Sequence, residues 1–373
     1  MKSPFFDQLA RKVHALGGYH NAHLHLDRAY TMTDGTVAGA SEQVQAGSHL
    51  SLQKKHALIR TVHEGPAYAP ADIARRVSMA LDHMIEVGTT RADTVVDVTA
   101  DRVGTSALET IMELARARAG QISLRAAAYT PMGFDDSKPE QWRIFEQGVA
   151  QADFIGSLPE ADDRRDYPDA IGYDEHCRRM LDLARSTGKM LQIHTDQVNC
   201  AVEDATERLL DVMERESLQL ADASGGPLVW AVHMISPSMY DEARWHRLVE
   251  RLVAFNVGVI TCPSGAVGMR QLRAVQSPTY NSIARVLELV AAGVPVRMGC
   301  DNICDMLSPT TTADLTDEVY MLSAAVRYYD VDILAKLACG VALDAEDRAK
   351  VQTHLDKNDA EMAKILARLG IEG

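Results

Sequence analysis

Two histidines one residue apart, His23 and His25, stand in the stretch GGYHNAHLHLDRAY at residues 17–30. If this stretch is a β-strand, side chains at positions i and i+2 point to the same side, so both imidazoles face one volume. Two converging imidazoles are a common arrangement for binding a metal ion. A pair of partly buried polar residues gives the same spacing, so the pair alone leaves both interpretations open.

Three more polar residues stand at the ends of apolar runs. His194 ends MLQIH, His233 ends LVWAVH and Asp301 ends VRMGCD. A carboxylate that ends a buried strand needs a cation or a set of hydrogen-bond donors, because burying an isolated charge is costly. One such histidine is most often structural, but four histidines and an aspartate at strand ends favour a metal site.

Eight β-rich runs alternate with segments of helical spacing. The runs cover residues 19–25, 91–98, 122–129, 152–157, 189–194, 228–233, 257–262 and 295–301. The helical segments between them include 72–87, 105–119, 173–187, 203–216, 240–254 and 280–292. Near-continuous apolar strands are typical of a parallel sheet covered by helices. The alternation predicts an α/β fold, a (β/α)8 barrel, in which functional residues lie at the carboxyl ends of the strands.

Further helical segments flank the predicted barrel. Residues 5–16 precede the first strand, and 312–328, 331–339 and 344–368 follow the last one. No glycine-rich phosphate loop follows the first strand, which argues against a dinucleotide-binding fold. We expect one domain over residues 1–373, a barrel with extra helices at its amino and carboxyl termini.

Composition narrows the class of protein. The 373 residues are 46% hydrophobic and carry a net charge of −14, which argues against a nucleic-acid partner because phosphate binding needs a basic face. No apolar run is long enough to span a bilayer, and no secretory signal is visible, so no membrane association is expected. Six scattered cysteines without a CxxC pair suit a reducing compartment, and the cytoplasm is the predicted location. We expect a small-molecule substrate as the partner, and the sequence leaves a homo-oligomer open.

The strand-end motifs together resemble the amidohydrolase superfamily, specifically its cytosine-deaminase-like branch. The resemblance covers residues 19–330. The matching pieces are HLHLD at 23–27, GTTRADTVVDV at 88–98, LQIHTDQ at 191–197, WAVHMISPSMY at 230–240 and MGCDNICDMLSP at 298–309. Each motif is weak alone, but this order at strand ends is specific for the superfamily. The resemblance implies a barrel that hydrolyses its substrate with metal-activated water.

Carried over by position, the resemblance implies that His23, His25, His194 and Asp301 hold one divalent metal. His233 lies beside them and polarises the water or the substrate. Three neutral imidazoles and a carboxylate suit zinc or ferrous iron and leave a position open for water. A bound cation lowers the pKa of that water, and Asp301 can accept its proton.

Two departures concern the metal and the proton transfer. Two-metal relatives use a carboxylated lysine on the fourth strand, but residues 153–163 contain no lysine, so we expect one metal. The branch also carries a glutamate three residues after the histidine of the fifth strand, where this chain has Gln197. An amide forms hydrogen bonds but cannot carry a proton between water and substrate. His233 or Asp301 are then the candidate acids, and Gln197 would bind a substrate carbonyl or ring nitrogen.

Other departures concern substrate recognition. Met132 follows the third strand where cytosine deaminase has a substrate-reading glutamine, and Asn302 stands where that enzyme has a second acid. Cytosine is therefore not the expected substrate. The candidate substrate contacts are Gln197, Asn302, Met132, Ser264 and Asp27. The first strand begins near residue 19, which leaves no room for the accessory β-sandwich of most relatives.

The long segment from 27 to 70 carries basic residues. Lys54, Lys55 and His56 lie in SLQKKHALIRTVHE, whose helical spacing predicts a helix with these side chains on a solvated face. His63 lies in the same helical pattern and is predicted to be structural.

The leading hypothesis is a metal-dependent hydrolase that cleaves a C–N bond of a small polar nitrogen heterocycle. Two reactions compete within it: removal of an exocyclic amine, which we favour, and opening of a cyclic amide or imide with Asp301 as the sole acid and base. Two rivals are a metal-binding barrel that has lost catalysis, which Gln197 keeps open, and a metal-dependent decarboxylase.

Overall fold

The computed structural model describes residues 3–31, 52–269 and 282–370. Its centre is one sheet of eight parallel strands in sequential order. The strands are β1 (Tyr19–Leu24), β2 (Thr89–Asp97), β3 (Ser123–Tyr129), β4 (Phe154–Ser157), β5 (Leu191–Thr195), β6 (Val229–His233), β7 (Val257–Thr261) and β8 (Val296–Met298).

The sheet closes on itself where the end of β8 meets β1. Leu24 forms a parallel bridge with Asp301. The Asp301 amide donates to the His23 carbonyl at 2.9 Å, and the His25 amide donates to the Asp301 carbonyl at 3.2 Å. The predicted (β/α)8 barrel is confirmed, and in the described residues every multi-residue strand belongs to it, without a β-sandwich.

Helices follow the strands and cover the barrel. They are α1 (Pro4–Ala15), α2 (Leu52–Glu64), α3 (Pro70–Glu86), α4 (Ser106–Arg118), α5 (Pro139–Gln151), α6 (Tyr173–Thr187), α7 (Ala205–Arg215), α8 (Glu242–Ala254), α9 (Pro263–Val267), α10 (Val286–Ala291), α11 (Leu315–Val326), α12 (Val331–Ala338) and α13 (Ala345–Leu369). In the described part of the chain, none of them is both long enough and apolar enough to cross a lipid bilayer.

The predicted helices are present in the structure, with the following differences. Helix α5 occupies a stretch for which no helix was predicted; it begins at Pro139, whose fixed φ suits a first helical position. The predicted helix over 280–292 is confirmed only as α10, and residues 270–281 lie outside the described residues. The segment after residue 27 contains α2, as its spacing predicted, and residues 32–51 lie outside the described residues.

The strands are buried along both faces. Every residue of β1, β5, β6 and β7 is buried, because one face looks into the barrel and the other lies under helices. One apolar cluster joins Ala22 of β1 to Trp230, Val232 and Ile260, whose strands are not neighbours of β1 in the sheet. Contact between them therefore runs across the barrel interior, which is filled by side chains.

Gly299 lies where the chain after β8 packs against β1, and its missing side chain leaves room for this contact. A Cβ on this residue would lie 2.7 Å from the backbone nitrogen of His23 and 2.8 Å from its Cβ. We predict that Gly299→Ala forces β8 away from β1 and lowers the free energy of unfolding by about 1 to 3 kcal/mol. Urea unfolding measures this change.

Gly120→Ala is the matched control, since a Cβ on this exposed glycine meets nothing within 4 Å. Equal stability of the two alanine variants would show that closure at Gly299 does not depend on the missing side chain.

Candidate metal centre

The structure brings the five strand-end residues together at one end of the barrel. The ring of His23 has its centroid 5.1 Å from that of His25, 4.8 Å from that of His194 and 5.8 Å from that of His233. Asp301 Oδ1 lies 3.7 Å from His23 Nε2 and 3.3 Å from His25 Nε2. Two overlapping groups offer ligand atoms within 4.8 Å of one another: His23, His25 and His194, and His23, His233 and Asp301.

Hydrogen bonds behind two of the rings fix which nitrogen faces the centre. His23 Nδ1 donates to Gln192 Oε1 at 2.8 Å, and Gln192 Nε2 in turn donates to the Ala22 carbonyl at 2.8 Å. His194 Nδ1 donates to the Ser157 carbonyl at 2.8 Å. The Nε2 atoms of His23 and His194 are thereby left with bare lone pairs.

Those two Nε2 atoms test whether a metal ion fits. Both are buried and have no hydrogen-bond partner among the described residues, and His23 Nε2 faces the carboxylate of Asp301. Buried lone pairs without donors are costly to leave unsatisfied. Neutral imidazoles oriented by a hydrogen bond through the other nitrogen are the usual histidine ligands of zinc and related ions. The donor set therefore fits a divalent cation.

His25 is held differently, because Arg28 Nη2 contacts its Nδ1. A guanidinium has only donors, so Nδ1 accepts and the ring proton lies on Nε2, which faces Asp301. Ligation through His25 Nε2 requires the other tautomer, with the proton on Nδ1. Arg28 must then turn away from His25 Nδ1, toward Asp97 Oδ1, which lies 3.8 Å from Arg28 Nη1.

Burial sets the charge of the centre. It lowers the pKa of all four histidines, to about 4 for His233 and, with the added effect of the Arg28 charge, to about 3 for His25. Burial alone would raise the pKa of Asp301, but the hydrogen bond from His25 and the neighbouring imidazoles lower it. One ionised carboxylate thus faces neutral imidazoles, which is the protonation state that binds metal.

The backbone is strained where these residues stand. His233 has φ 82° and Asp301 has φ 61°, in the left-handed region that residues with a side chain seldom adopt. Asp196, two residues after His194, has φ 58°. Strain of this kind persists where surrounding contacts hold it, and it concentrates at functional sites.

A buried network of polar side chains lies behind His25. Asp27 Oδ2 accepts from the Tyr68 hydroxyl at 2.8 Å and from the Asp97 amide at 3.0 Å. Asp97 Oδ2 also contacts His63 Nε2 at 3.0 Å, and His63 Nδ1 contacts Asp101 Oδ2 at 2.7 Å. Asp27 is fully buried in this network, and its Oδ1 has no hydrogen-bond partner among the described residues. Its role toward a substrate stays a prediction.

The other predicted substrate contacts are hydrogen bonded or packed within the protein. The Ser264 hydroxyl donates to Glu318 at 2.5 Å, and Asn302 Nδ2 donates to Asp305 at 2.5 Å, so both groups already have partners. Met132 is half-buried and packs against the hydrophobic core. Gln197 is buried and donates from Nε2 to Glu160 Oε2 at 3.1 Å. Their roles toward a substrate stay predictions.

Sequence reasoning missed several residues near the centre. His56 was predicted on a solvated face, but its side chain is half-buried, and burial and then the charge of Arg28 lower its pKa to about 4. The ring of Tyr129 lies 5.4 Å from those of His25 and His194. Gln192 could have been found, because it stands two residues before His194 and so faces the same side of β5.

No family model matches the chain. An uncharacterised protein from Haemophilus influenzae is 27% identical over 293 residues, which cover 76% of this chain and 93% of the relative.

Solved structures resemble the chain over most of its length. The 5-methylcytosine deaminase from Klebsiella pneumoniae, liganded with 5-fluorocytosine, superposes with a TM-score of 0.72 at 21% identity, covering 90% of this chain and 74% of that one. The chain has the fold of this enzyme. N-isopropylammelide isopropylaminohydrolase from Burkholderia multivorans gives a TM-score of 0.62 at 19% identity, covering 90% and 74% of the two chains.

A third structure, atrazine chlorohydrolase from Arthrobacter aurescens complexed with zinc, gives a TM-score of 0.53 at 14% identity and covers 90% of this chain and 70% of its own. The predicted resemblance to cytosine-deaminase-like barrels is confirmed as a likeness of fold.

Gln192 provides a test of how the ligands are oriented. We predict that Gln192→Met, which removes the acceptor for His23 Nδ1 at similar size, weakens metal binding about 10- to 100-fold. Competition with a chromophoric chelator measures the affinity. Gln147→Met on the exposed face of α5 is the control. Equal affinities for the two variants would contradict the proposed orientation of His23.

His63 predicts a pH dependence of stability. Burial alone would lower its pKa, but the hydrogen bonds to Asp101 and Asp97 and their charges raise it to about 9. Because the pKa of His63 is higher in the folded state than in the unfolded chain, protonation of His63 stabilises the fold. This contribution is complete below pH 6.5 and is lost as pH rises through 9.

The stability difference between the wild type and His63→Gln is therefore expected to shrink by about 2 to 3 kcal/mol between pH 7 and pH 10, measured by urea unfolding. His246→Gln, at an exposed position, is the control. A pH-independent difference for His63→Gln would refute a protonated His63.

Proposed function

We propose that the chain is a metal-dependent hydrolase that cleaves a C–N bond of a small polar nitrogen heterocycle, releasing an exocyclic amine. The observation that carries this proposal is the pair of buried Nε2 atoms, on His23 and His194, that have no partner in the described residues. That of His23 also lies 3.7 Å from Asp301 Oδ1. The solved structures of the same fold include a deaminase and an isopropylaminohydrolase, which favours amine removal over ring opening.

The proposed cofactor is one divalent ion, zinc or ferrous iron, held by His23, His25, His194 and Asp301. Bound there, the ion would act as a Lewis acid and lower the pKa of water. Zinc is supported by the zinc complex of the atrazine chlorohydrolase of the same fold. The donor set also supports zinc, because three imidazoles and one carboxylate leave a position free for water.

The residues of the chain supply the proton transfer and the binding. Asp301 is ionised and accepts the proton of the attacking water. The ligand atoms of His233, His23 and Asp301 lie within 4.8 Å of one another. The Nδ1 atom of His233 is buried without a partner in the described residues. It is positioned to stabilise charge that develops on the substrate, and Gln197 contributes an amide for binding.

The wider proposals concern the whole chain. We place the protein in the cytoplasm as one domain over residues 1–373, with a small-molecule substrate. The six cysteines support a reducing compartment, because all of them are free.

Metal dependence and reaction type are tested together. We predict that chelation abolishes amine release from a panel of aminopyrimidines, aminotriazines and alkylaminotriazines, and that zinc or ferrous iron restores it. Asp301→Asn is expected to lose at least about 100-fold in kcat, because it removes both a ligand and a proton acceptor. Amine release is followed by a coupled ammonia assay and by chromatography.

Asp82→Asn is the control variant, at an exposed position on α3. Turnover of hydantoin-like rings without amine release would instead favour ring opening. Stoichiometric metal without turnover on either set of substrates would overturn the proposed function and favour a barrel that only binds metal.

A further inference from the structure

Cleavage of a C–N bond leaves a nitrogen that must gain a proton, because an amide or amine anion is a poor leaving group. Gln197 occupies the position at which the resembling branch carries a glutamate, and its amide cannot transfer a proton. Asp301 receives a proton from water and follows β8, whereas Gln197 follows β5, and these two strands are not neighbours in the sheet. A second acid beside Gln197 would supply the proton.

Glu160 is a carboxyl group in contact with Gln197. It stands in the short 3-10 turn Pro159–Asp162 that follows β4. Its Oε2 accepts from Gln197 Nε2 at 3.1 Å, and the backbone amide of Gln197 also hydrogen bonds to the carboxyl group. Its Oε1 is shielded from solvent and has no hydrogen-bond partner in the described residues.

The turn that carries Glu160 is attached to the metal centre. Ser157, the last residue of β4, accepts the hydrogen bond from His194 Nδ1 at 2.8 Å. His194 stands on the neighbouring strand β5, and Gln197 follows it by three residues, just past the end of that strand. Glu160 is also close enough to Tyr129 for its charge to raise the pKa of that phenol, after burial, and the Tyr129 ring packs on His25 and His194. Two strand ends thus bring Glu160 toward the imidazoles.

The surroundings of Glu160 keep it protonated. Burial, then the charges of Asp196 and Asp163, raise the pKa of Glu160 to about 8 against the hydrogen bonds from Gln197. Glu203 also faces it, and burial with the charge of Glu160 raises the pKa of Glu203 to about 9. The other titratable groups that face Glu160 are the phenols of Tyr129, Tyr167 and Tyr173.

The cations near this acidic group are already paired. Arg165 and Arg208 both contact Asp163, at 2.7 and 3.1 Å. Asp196 accepts from the amides of Ala205 and Thr206 at the start of α7. Neither set of contacts involves Glu160, which at neutral pH carries a proton beside an amide that holds its other oxygen.

We propose that Glu160 is the proton donor to the leaving nitrogen, with Gln197 as the residue that positions its carboxyl group. This inference rests on the proposed function. The Glu160 carboxyl proton passes to the nitrogen as the C–N bond breaks and its electron pair goes to nitrogen, which leaves as a neutral amine. The oxygen of water stays on carbon with one of its protons. Asp301 releases the other proton to solvent, and the Glu160 carboxylate takes up a proton from solvent. A glutamate in the turn after β4 thus does the work that the branch assigns to a glutamate after β5.

The test uses substrates that differ only in their leaving group. One heterocycle carries an alkylamine, which needs a proton to leave, and its analogue carries chloride or fluoride, which does not. For the full-length metal-loaded protein, Glu160→Gln is expected to lose about 10²- to 10⁴-fold in kcat on the amine and less than about 10-fold on the halide. Metal content, measured by elemental analysis, is expected to stay at the wild-type level.

The pH profile gives a second readout. With Glu160 active in its protonated form, kcat of the wild type on the amine falls as pH rises through about 8. That limb is expected to disappear in Glu160→Gln. The double variant Glu160→Gln with Gln197→Glu moves the carboxyl group to the other partner of the same hydrogen bond, and we expect it to regain part of the lost rate.

Glu146→Gln, exposed on α5, is the matched control. Equal losses on the amine and the halide, or an unchanged rate of amine release, would overturn the role of Glu160 while leaving the proposed function intact. A wild type that binds metal but turns over neither substrate would overturn both.

Discussion

The whole centre depends on two backbone hydrogen bonds at the seam of the barrel. The Asp301 amide and carbonyl bind the His23 carbonyl and the His25 amide, so that the residue closing the sheet is also the carboxylate of the centre. The positions of three side chains are thereby fixed by the main chain rather than by their own rotamers. A cation bound among them would hold β1 to β8 more firmly, because metal binding to a site that exists only in the folded chain stabilises the fold.

Around that seam, hydrogen bonds fix which nitrogen of two histidine rings faces the centre. Gln192 and the Ser157 carbonyl each use the Nδ1 atom of one histidine, which turns the two Nε2 atoms toward the centre. Arg28 is compensated by Asp97, which belongs to a network that extends through His63 to Asp101 at the protein surface. The centre therefore combines bare Nε2 lone pairs in front with hydrogen-bonded Nδ1 atoms of His23 and His194 behind, a preorganised arrangement for binding charge.

The strands and the five convergent residues could be predicted from the sequence because three apolar runs end in His194, His233 and Asp301, and because His23 and His25 stand one residue apart in the first run. Which partners these residues find could not be predicted, since it depends on contacts between distant segments. His56 shows the difference: spacing identified its helix, but not that burial beside Arg28 would lower its pKa. Glu160 gave no periodic signal, because it lies in a short turn after β4 and its contact with Gln197 requires the pairing of β4 with β5.

The central claim is that imidazoles from β1 and β5 share one cation with Asp301. X-ray absorption spectroscopy of the purified, zinc-loaded protein tests this most directly. The account predicts one zinc per chain, with three imidazole nitrogens and carboxylate oxygen at about 2.0 to 2.2 Å. A protein that binds no zinc, or a spectrum without imidazole scattering, would contradict it.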